Sequence, residues 1–215
     1  MSLMARDVAV GYRRGTPVLT GVSLAVEPGE VVGLAGPSGC GKSTLARVLA
    51  LLLPPWSGGV VIDDEPVRRA RHRVPRELRV AVGVVFQSPR RSVDPRFTLA
   101  DVIAEPLRAG GRSTAAARPD VERLATRVDL TADLLDRRPH EVSDGQLQRA
   151  CLARALAAEP RYLVCDEMTS MLDASTSAAL VGVVNEEVAE RRMGVLAVSH
   201  DPDLLDVWAR RVITL

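Results

Sequence analysis

Gly36-Pro37-Ser38-Gly39-Cys40-Gly41-Lys42-Ser43-Thr44 decides the reading of this chain. It matches the pattern G-x-x-x-x-G-K-[ST], in which glycines let successive backbone N–H groups turn inward around phosphate oxygens. Before it stands the apolar run Val31-Val32-Gly33-Leu34-Ala35; after it Leu45, Val48, Leu49, Leu52 and Leu53 recur at helical spacing. Strand, loop and helix are the context the pattern requires, and the helix's positive end then faces the same phosphates. In that chemistry Lys42 reaches the β- and γ-phosphates and Ser43 holds Mg²⁺. Of the 28 basic residues 27 are Arg, and the one Lys is Lys42. A compact ammonium fits inside a tight loop where a planar guanidinium does not.

Three more short apolar runs, Val80 to Phe86, Tyr162 to Cys165 and Val195 to Val198, show little alternation, as strands covered on both faces do. Helical spacing lies between them, at Leu147, Ala150, Cys151 and Ala155 and at Leu180, Val183, Val184 and Val188. The alternation predicts an α/β fold with a mostly parallel sheet. Ligands of such sheets bind beyond the carboxyl ends of the strands. Gln87, the pair Asp166 and Glu167, and the pair Ser199 and His200 follow the three runs. Asp166 is the acidic Mg²⁺ ligand the loop needs, and Glu167 can polarise a water toward the γ-phosphate. Residues 89–158 read as a helical insertion into the sheet domain, with Pro89, Pro95, Pro106, Pro119 and Pro139 as punctuation, Gly110-Gly111 as a break, and short helices over Thr98 to Arg108 and Asp120 to Val128.

Composition narrows the function. The 215 residues carry a net charge of +1, too balanced for a broad nucleic-acid footprint. No apolar run approaches the ~20 residues of a membrane span, and no basic segment followed by an apolar one marks a signal peptide. Three cysteines without a C-x-x-C pair suggest neither disulfides nor structural zinc. Cys151 and Cys165 fit core positions, Cys40 a small residue in the loop, and His72 and His140 the surface. Arg68, Arg69, Arg71, Arg73, Arg76 and Arg79 read as a solvated loop.

Val142-Ser143-Asp144-Gly145-Gln146-Leu147-Gln148-Arg149 resembles the signature motif of ABC-transporter ATPase subunits, usually LSGGQ before a basic helix. Ser170-Met171-Leu172-Asp173 resembles their D-loop, Gln87 their Q-loop glutamine, His200 their switch histidine, and Tyr12 the aromatic that stacks on adenine. Gln87-Ser88-Pro89 with Asp94-Pro95, and Pro139-His140-Glu141, look most like the peptide/nickel uptake branch.

The resemblance implies a P-loop NTPase (RecA-like) core, residues 1–88 and 159–215, with an N-terminal antiparallel β portion and the helical signature subdomain inserted at 89–158. It implies ATP and Mg²⁺ as ligands. Tyr12 and residues 36–44 would bind the nucleotide, Ser43, Gln87 and Asp166 the metal, and Glu167, His200 and Gln87 would serve catalysis. Ser143, Asp144, Gly145, Gln146 and Asp173 would meet the nucleotide of a second ATPase subunit paired head to tail. Integral membrane permeases and a solute-binding protein would complete a transporter, with this chain on the cytoplasmic face of the membrane.

Two departures qualify that pattern. The chain ends at Leu215 without the C-terminal segment of many relatives in the branch. Of the two signature glycines the first is replaced by Asp144, and the second is Gly145. A carboxylate there opposes a γ-phosphate, which predicts an asymmetric pair and favours a heterodimer over a homodimer. The competing expectation has Asp144 turned outward and harmless. A soluble ABC-type ATPase acting on DNA or ribosomes, and a catalytically impaired regulatory subunit, stand as alternatives.

Overall fold

The computed structural model describes residues 1–13, 15–67, 70, 73–170 and 172–215. Strands β1 (Leu3–Val10) and β2 (Leu19–Val26) belong to one antiparallel sheet with β4 (Ser57–Ile62) and β5 (Glu65–Val67), in the order β2-β1-β4-β5. Along β1 the buried side chains are Leu3 and Ala5, then Val8 and Val10. The change of parity comes from a register shift between Ala5 and Val8, where Asp7 takes φ 48°. An extra residue at a bulge lets both halves of a strand face one core.

A second sheet has the order β6-β7-β8-β3-β9, from β3 (Val31–Ala35), β6 (Val82–Val85), β7 (Tyr162–Asp166), β8 (Gly194–Val198) and β9 (Arg211–Thr214). β3 runs parallel to β8 and β9, and β7 parallel to β8. All five residues of β7 and of β8 are buried, which is why their sequences do not alternate. Leu34 stands opposite Val198, and Val198 opposite Asp166. This register brings the loop after Ala35, the carboxylates at 166–167 and Ser199-His200 to one end of the sheet. Where the resemblance implied an antiparallel β portion and a mostly parallel core, both sheets are present.

Several boundaries differ from the sequence reading. α1 (Lys42–Leu49) stops before Leu52 and Leu53, because Leu51 takes φ 61° and Pro54 follows. Val80 ends α2 (Arg76–Val80) and is not in a strand; β6 begins at Val82. Arg76 and Arg79 therefore lie on a helix, while Arg68, Arg69, Arg71 and His72 lie outside the described residues.

The chain divides into two compact units, 1–84 with 161–167 and 187–215, and 85–160 with 168–186. The helical unit thus includes a second segment, 168–186, which the sequence reading had put with the sheet. Its helices are α3 (Leu99–Ala109), α4 (Thr114–Arg127) and α5 (Asp144–Leu156), with most of α6 (Ala174–Arg191). α7 (Pro202–Trp208) belongs to the sheet unit. Pro106 and Pro119 lie inside α3 and α4 and do not end them. Each removes an intrahelical N–H, and side-chain caps at Thr98 and Ser113 offset part of that loss. Cys151 and Cys165 are buried free thiols, and burial pushes both pKa values up. No helix among the described residues is long and apolar enough to cross a membrane.

Candidate nucleotide site and signature segment

Gly36 and Gly41 show why the loop must be glycine-rich. Gly41 takes φ 112°, and a Cβ there would lie 2.5 Å from Leu19 Cδ2. Gly36 takes φ 145°, and a Cβ there would lie 2.8 Å from Cys40 Sγ. Both positions reject any side chain, by conformation and by space. Glycine at both positions lets the backbone turn its N–H groups inward, as a cradle for phosphate requires.

Lys42, 5% exposed, donates from Nζ to the carbonyls of Gly36 at 2.7 Å and Pro37 at 3.0 Å. Ser43 Oγ donates to Asp166 Oδ1 at 2.8 Å. Asp166 is buried, and burial pushes its pKa up; the bond from Ser43 opposes this, and neighbouring Glu167 adds to it. A carboxylate that burial disfavours as an anion, beside a hydroxyl that can turn its lone pairs outward, is a donor set suited to a hard divalent cation.

Glu167 takes φ 51°, a left-handed conformation uncommon outside glycine. Its N–H donates to the Val198 carbonyl at 3.0 Å, tying the residue after β7 to the end of β8. Glu167 Oε1 lies 3.6 Å from His200 Nδ1, and His200 is 57% exposed on its side chain. Ser199 Oγ accepts from the Asp201 N–H, and Asp201 caps α7, which fixes the turn carrying His200. Tyr12 is exposed; its hydroxyl accepts from Arg47 Nη1 at 2.8 Å and lies 3.3 Å from Thr44 Oγ1. Residues 36–44, Tyr12, Asp166, Glu167 and His200 thus belong to one unit. Gln87, Ser143 to Gln146 and Asp173 belong to the other.

In that other unit α5 begins with a reciprocal cap: Ser143 Oγ accepts from the Gln146 N–H, and Gln146 Oε1 accepts from the Ser143 N–H. Asp144 follows in the first turn, which suits a negative charge. Ser143, Asp144, Gly145 and Gln146 line an open hollow of about 510 Å³ together with Asp129, Arg149, Asp173 and Thr176. Asp173 accepts from Ser175 Oγ, Thr176 N and Thr176 Oγ1, which hold its pKa well below the usual carboxylate range.

Two residues escaped the sequence reading. Gln148 is 1% exposed and donates from Nε2 to the carbonyls of Phe86 at 3.1 Å and Met168 at 3.0 Å. Its signal was a polar side chain beside the buried positions Leu147 and Cys151. Arg90 places Nε 2.7 Å from Asp144 Oδ1 and donates to the carbonyls of Pro139 and Val142. Only an odd Asp and an odd Arg far apart in sequence hinted at that pair. It corrects the picture of a lone carboxylate at 144.

A glycine loop between β3 and α1, with a buried aspartate at the end of β7, the next strand but one, defines a P-loop nucleoside triphosphatase. The chain belongs to the ABC transporter family, whose profile matches residues 19–170. It is 36% identical over 208 residues to the nickel import ATP-binding protein NikE of Escherichia coli (strain K12), covering 95% of this chain and 77% of that protein. It is 37% identical over 219 residues to a putative peptide import ATP-binding protein of Brucella abortus (strain 2308), covering 99% of this chain and 66% of that one. Its fold superposes with TM-score 0.88 and 28% identity on the ATP-binding cassette MJ0796, solved as a dimer in a post-hydrolysis state with ADP and Pi, covering 99% and 94% of the two chains. CbiO1 of Clostridium perfringens, part of the CbiONQ transporter complex, matches at TM-score 0.83 and 27% identity, over 99% of this chain and 83% of that one. The chain is an ATP-binding cassette ATPase.

Proposed function

We propose that this chain powers an importer for nickel, a peptide or a related small solute from the cytoplasmic face of the membrane, where it sits peripherally. Two relatives with those printed roles support the cargo class. Permease subunits, a solute-binding protein and a second ATPase subunit are its partners. Residues 1–88 and 159–215 act as the ATP-binding core and 89–158 as the signature subdomain.

The observation that carries the reading is the contact of Ser43 with Asp166, at the foot of a loop that Lys42 closes. Residues 36–44 bind the phosphates through N–H groups and the Lys42 ammonium, and Tyr12 stacks on the base. Ser43 and Asp166 hold Mg²⁺, to which the resemblance adds Gln87; when bound, Mg²⁺ neutralises charge on the phosphate oxygens. Glu167 accepts a proton from, and orients, the attacking water, and His200 holds Glu167 and the departing phosphate in line. Ser143 to Gln146 and Asp173 meet the ATP held by the second subunit.

The preference for a heterodimer rested on the charge of Asp144. Arg90 Nε lies 2.7 Å from Asp144 Oδ1 and so offsets that charge, which supports a self-pair as an alternative. The same contact counts against an impaired regulatory subunit. Purification of the tagged chain from its own membranes tests the reading. It predicts an integral membrane protein as the companion and ATP turnover raised by it; nucleic acid as the companion would replace the importer with a soluble ATPase.

A further inference from the structure

Three carboxylates line the hollow at the start of α5, and each has a partner. Asp129 Oδ2 lies 2.6 Å from Arg149 Nη1. Asp173 is held by Ser175 and Thr176. Asp144 Oδ1 lies 2.7 Å from Arg90 Nε. Arg149 and Thr176 line the same hollow, but Arg90 reaches it from outside, from the helical turn Pro89–Arg91. Its Nη1 donates to the Pro139 carbonyl at 2.6 Å and its Nη2 to the Val142 carbonyl at 3.1 Å. One guanidinium therefore spans the segment that leads into the signature and ends on the carboxylate inside it.

We propose that Arg90 is a positioning residue for the signature: it cancels the charge of Asp144, so that the N-terminal end of α5 can receive the terminal phosphate of ATP. The inference rests on the reading that this segment meets ATP held by a second ATPase subunit. Two energies argue for this role over a merely structural one. Both side chains are nearly half exposed as wholes, 46% and 43%, although Asp144 Oδ1 itself is covered, and ion pairs between side chains so exposed add little to stability. An unneutralised carboxylate in the first turn, by contrast, competes with phosphate for the same positive helix end. Arg is also the side chain that can serve a carboxylate and two carbonyls at once from one rigid plane.

A double-mutant cycle tests this in the Glu167→Gln chain, which keeps bound ATP intact. Self-association is measured by sedimentation with and without MgATP, and ATP affinity of the isolated chain is measured separately. Arg90→Met weakens ATP-dependent association at least about tenfold while ATP affinity stays within about threefold. In the Asp144→Gly background the same Arg90→Met substitution weakens association less than about threefold, because no carboxylate remains to be neutralised. Equal loss in both backgrounds overturns the inference and leaves Arg90 as a tie for the Pro139 and Val142 carbonyls. No loss in either background overturns it too. A chain that binds ATP but never associates in response to it fails at the pairing reading itself, and the inference falls with it. Circular dichroism of each variant separates misfolding from these outcomes; an Arg90→Met chain unfolded alone but folded with Asp144→Gly supports charge cancellation, and one unfolded in both does not.

Discussion

Lys42 and Arg90 are cations held by backbone carbonyls, one in each compact unit. Lys42 bridges Gly36 and Pro37 and is 5% exposed. Arg90 bridges Pro139 and Val142 and is 46% exposed on its side chain. The hydrogen-bond partners of Lys42 are neutral carbonyls, and it feels Asp166 only as a charge at a distance, not as a bonded partner. Arg90 also meets Asp144, so that its charge is already matched. In the proposed reading the loop of the sheet unit presents phosphate with an ammonium bonded only to carbonyls, and the signature segment presents it with a neutralised helix end and N–H groups. A point charge is legible from a motif, whereas a cancelled charge shows only when the fold brings two distant residues together.

The largest expected effect lies at Glu167. Glu167→Gln removes the proposed base but keeps an amide of the same shape, so hydrolysis slows on the order of 10²–10⁴-fold. ATP affinity holds within about threefold. Single-turnover measurement with radiolabelled ATP checks this. Turnover within about threefold of the unaltered chain moves the catalytic role away from Glu167, with His200 the next residue to examine.

Lys42→Ala attacks the contrast from the other side. A buried charge-assisted donor is worth about 1.5–3 kcal/mol, so ATP affinity drops roughly tenfold to a hundredfold, read by equilibrium titration. Lys42→Arg loses affinity too, because the guanidinium cannot fold back onto Gly36 and Pro37 within the loop. If Lys42→Arg binds ATP as well as the parent chain, the loop needs only a charge, and the contrast with Arg90 loses its geometric half.

Gln148 offers a third break, in stability. Gln148→Leu leaves the carbonyls of Phe86 and Met168 without their donor. Unsatisfied buried acceptors cost about 1–3 kcal/mol, part of which is returned because Gln148 Oε1 has no partner among the described residues. Gln148→Glu is worse, since a carboxylate would face two carbonyls. Urea unfolding reads both, and a Gln148→Glu chain as stable as the parent contradicts the donor role.

Much of the sheet unit could be read beforehand, and the reasons are physical. β7 and β8 are short, apolar and buried throughout, and Asp166, Glu167 and His200 stand at or just beyond their ends. α1 was read too long because hydrophobic spacing continues through Leu53, while the backbone at Leu51 turns left-handed. In the helical unit a proline misled. Pro106 lies inside the helix expected over Thr98 to Arg108, but Pro119, which marks the start of the helix expected from Asp120, sits within a capped helix that begins at Thr114, since loss of one N–H does not outweigh a buried apolar face. The strand expected from Val80 began late because Leu78 and Val80 fit either periodicity over so short a run. Arg90 and Gln148 were invisible for another reason. Their partners at 144, 86 and 168 are distant in sequence, and nothing local marks the pairing.

The smallest expected effect distinguishes the two units by acid. In the helical unit a side-chain and a backbone hydrogen bond from Arg96 bring Asp94 down to about 2. Bonds from Arg123 and Arg112 lower Asp120, and the Arg138 N–H lowers Glu141. Burial alone would raise Asp101, but its bonds from Thr98 and Arg108 outweigh burial and lower it; Asp173 is lowered by Ser175 and Thr176. In the sheet unit Glu30 is the carboxylate lowered in this way among the described residues, with Arg211 and the Glu27 N–H outweighing burial. A carboxylate whose folded pKa is depressed adds stability above its unfolded value near 4, and that stability is lost as pH falls through the folded value. The helical unit should therefore loosen first between about pH 4 and pH 2. Most of these groups are exposed, so salt should shrink the part due to the arginine pairs at Asp94 and Asp120. The bonds to backbone N–H at Glu141 and Asp173 should resist salt. Amide exchange followed by mass spectrometry at stepped pH reads the two units separately. Protection lost in β7 and β8 before α3 and α4 would show that these carboxylate contacts do not set the acid limit of the helical unit.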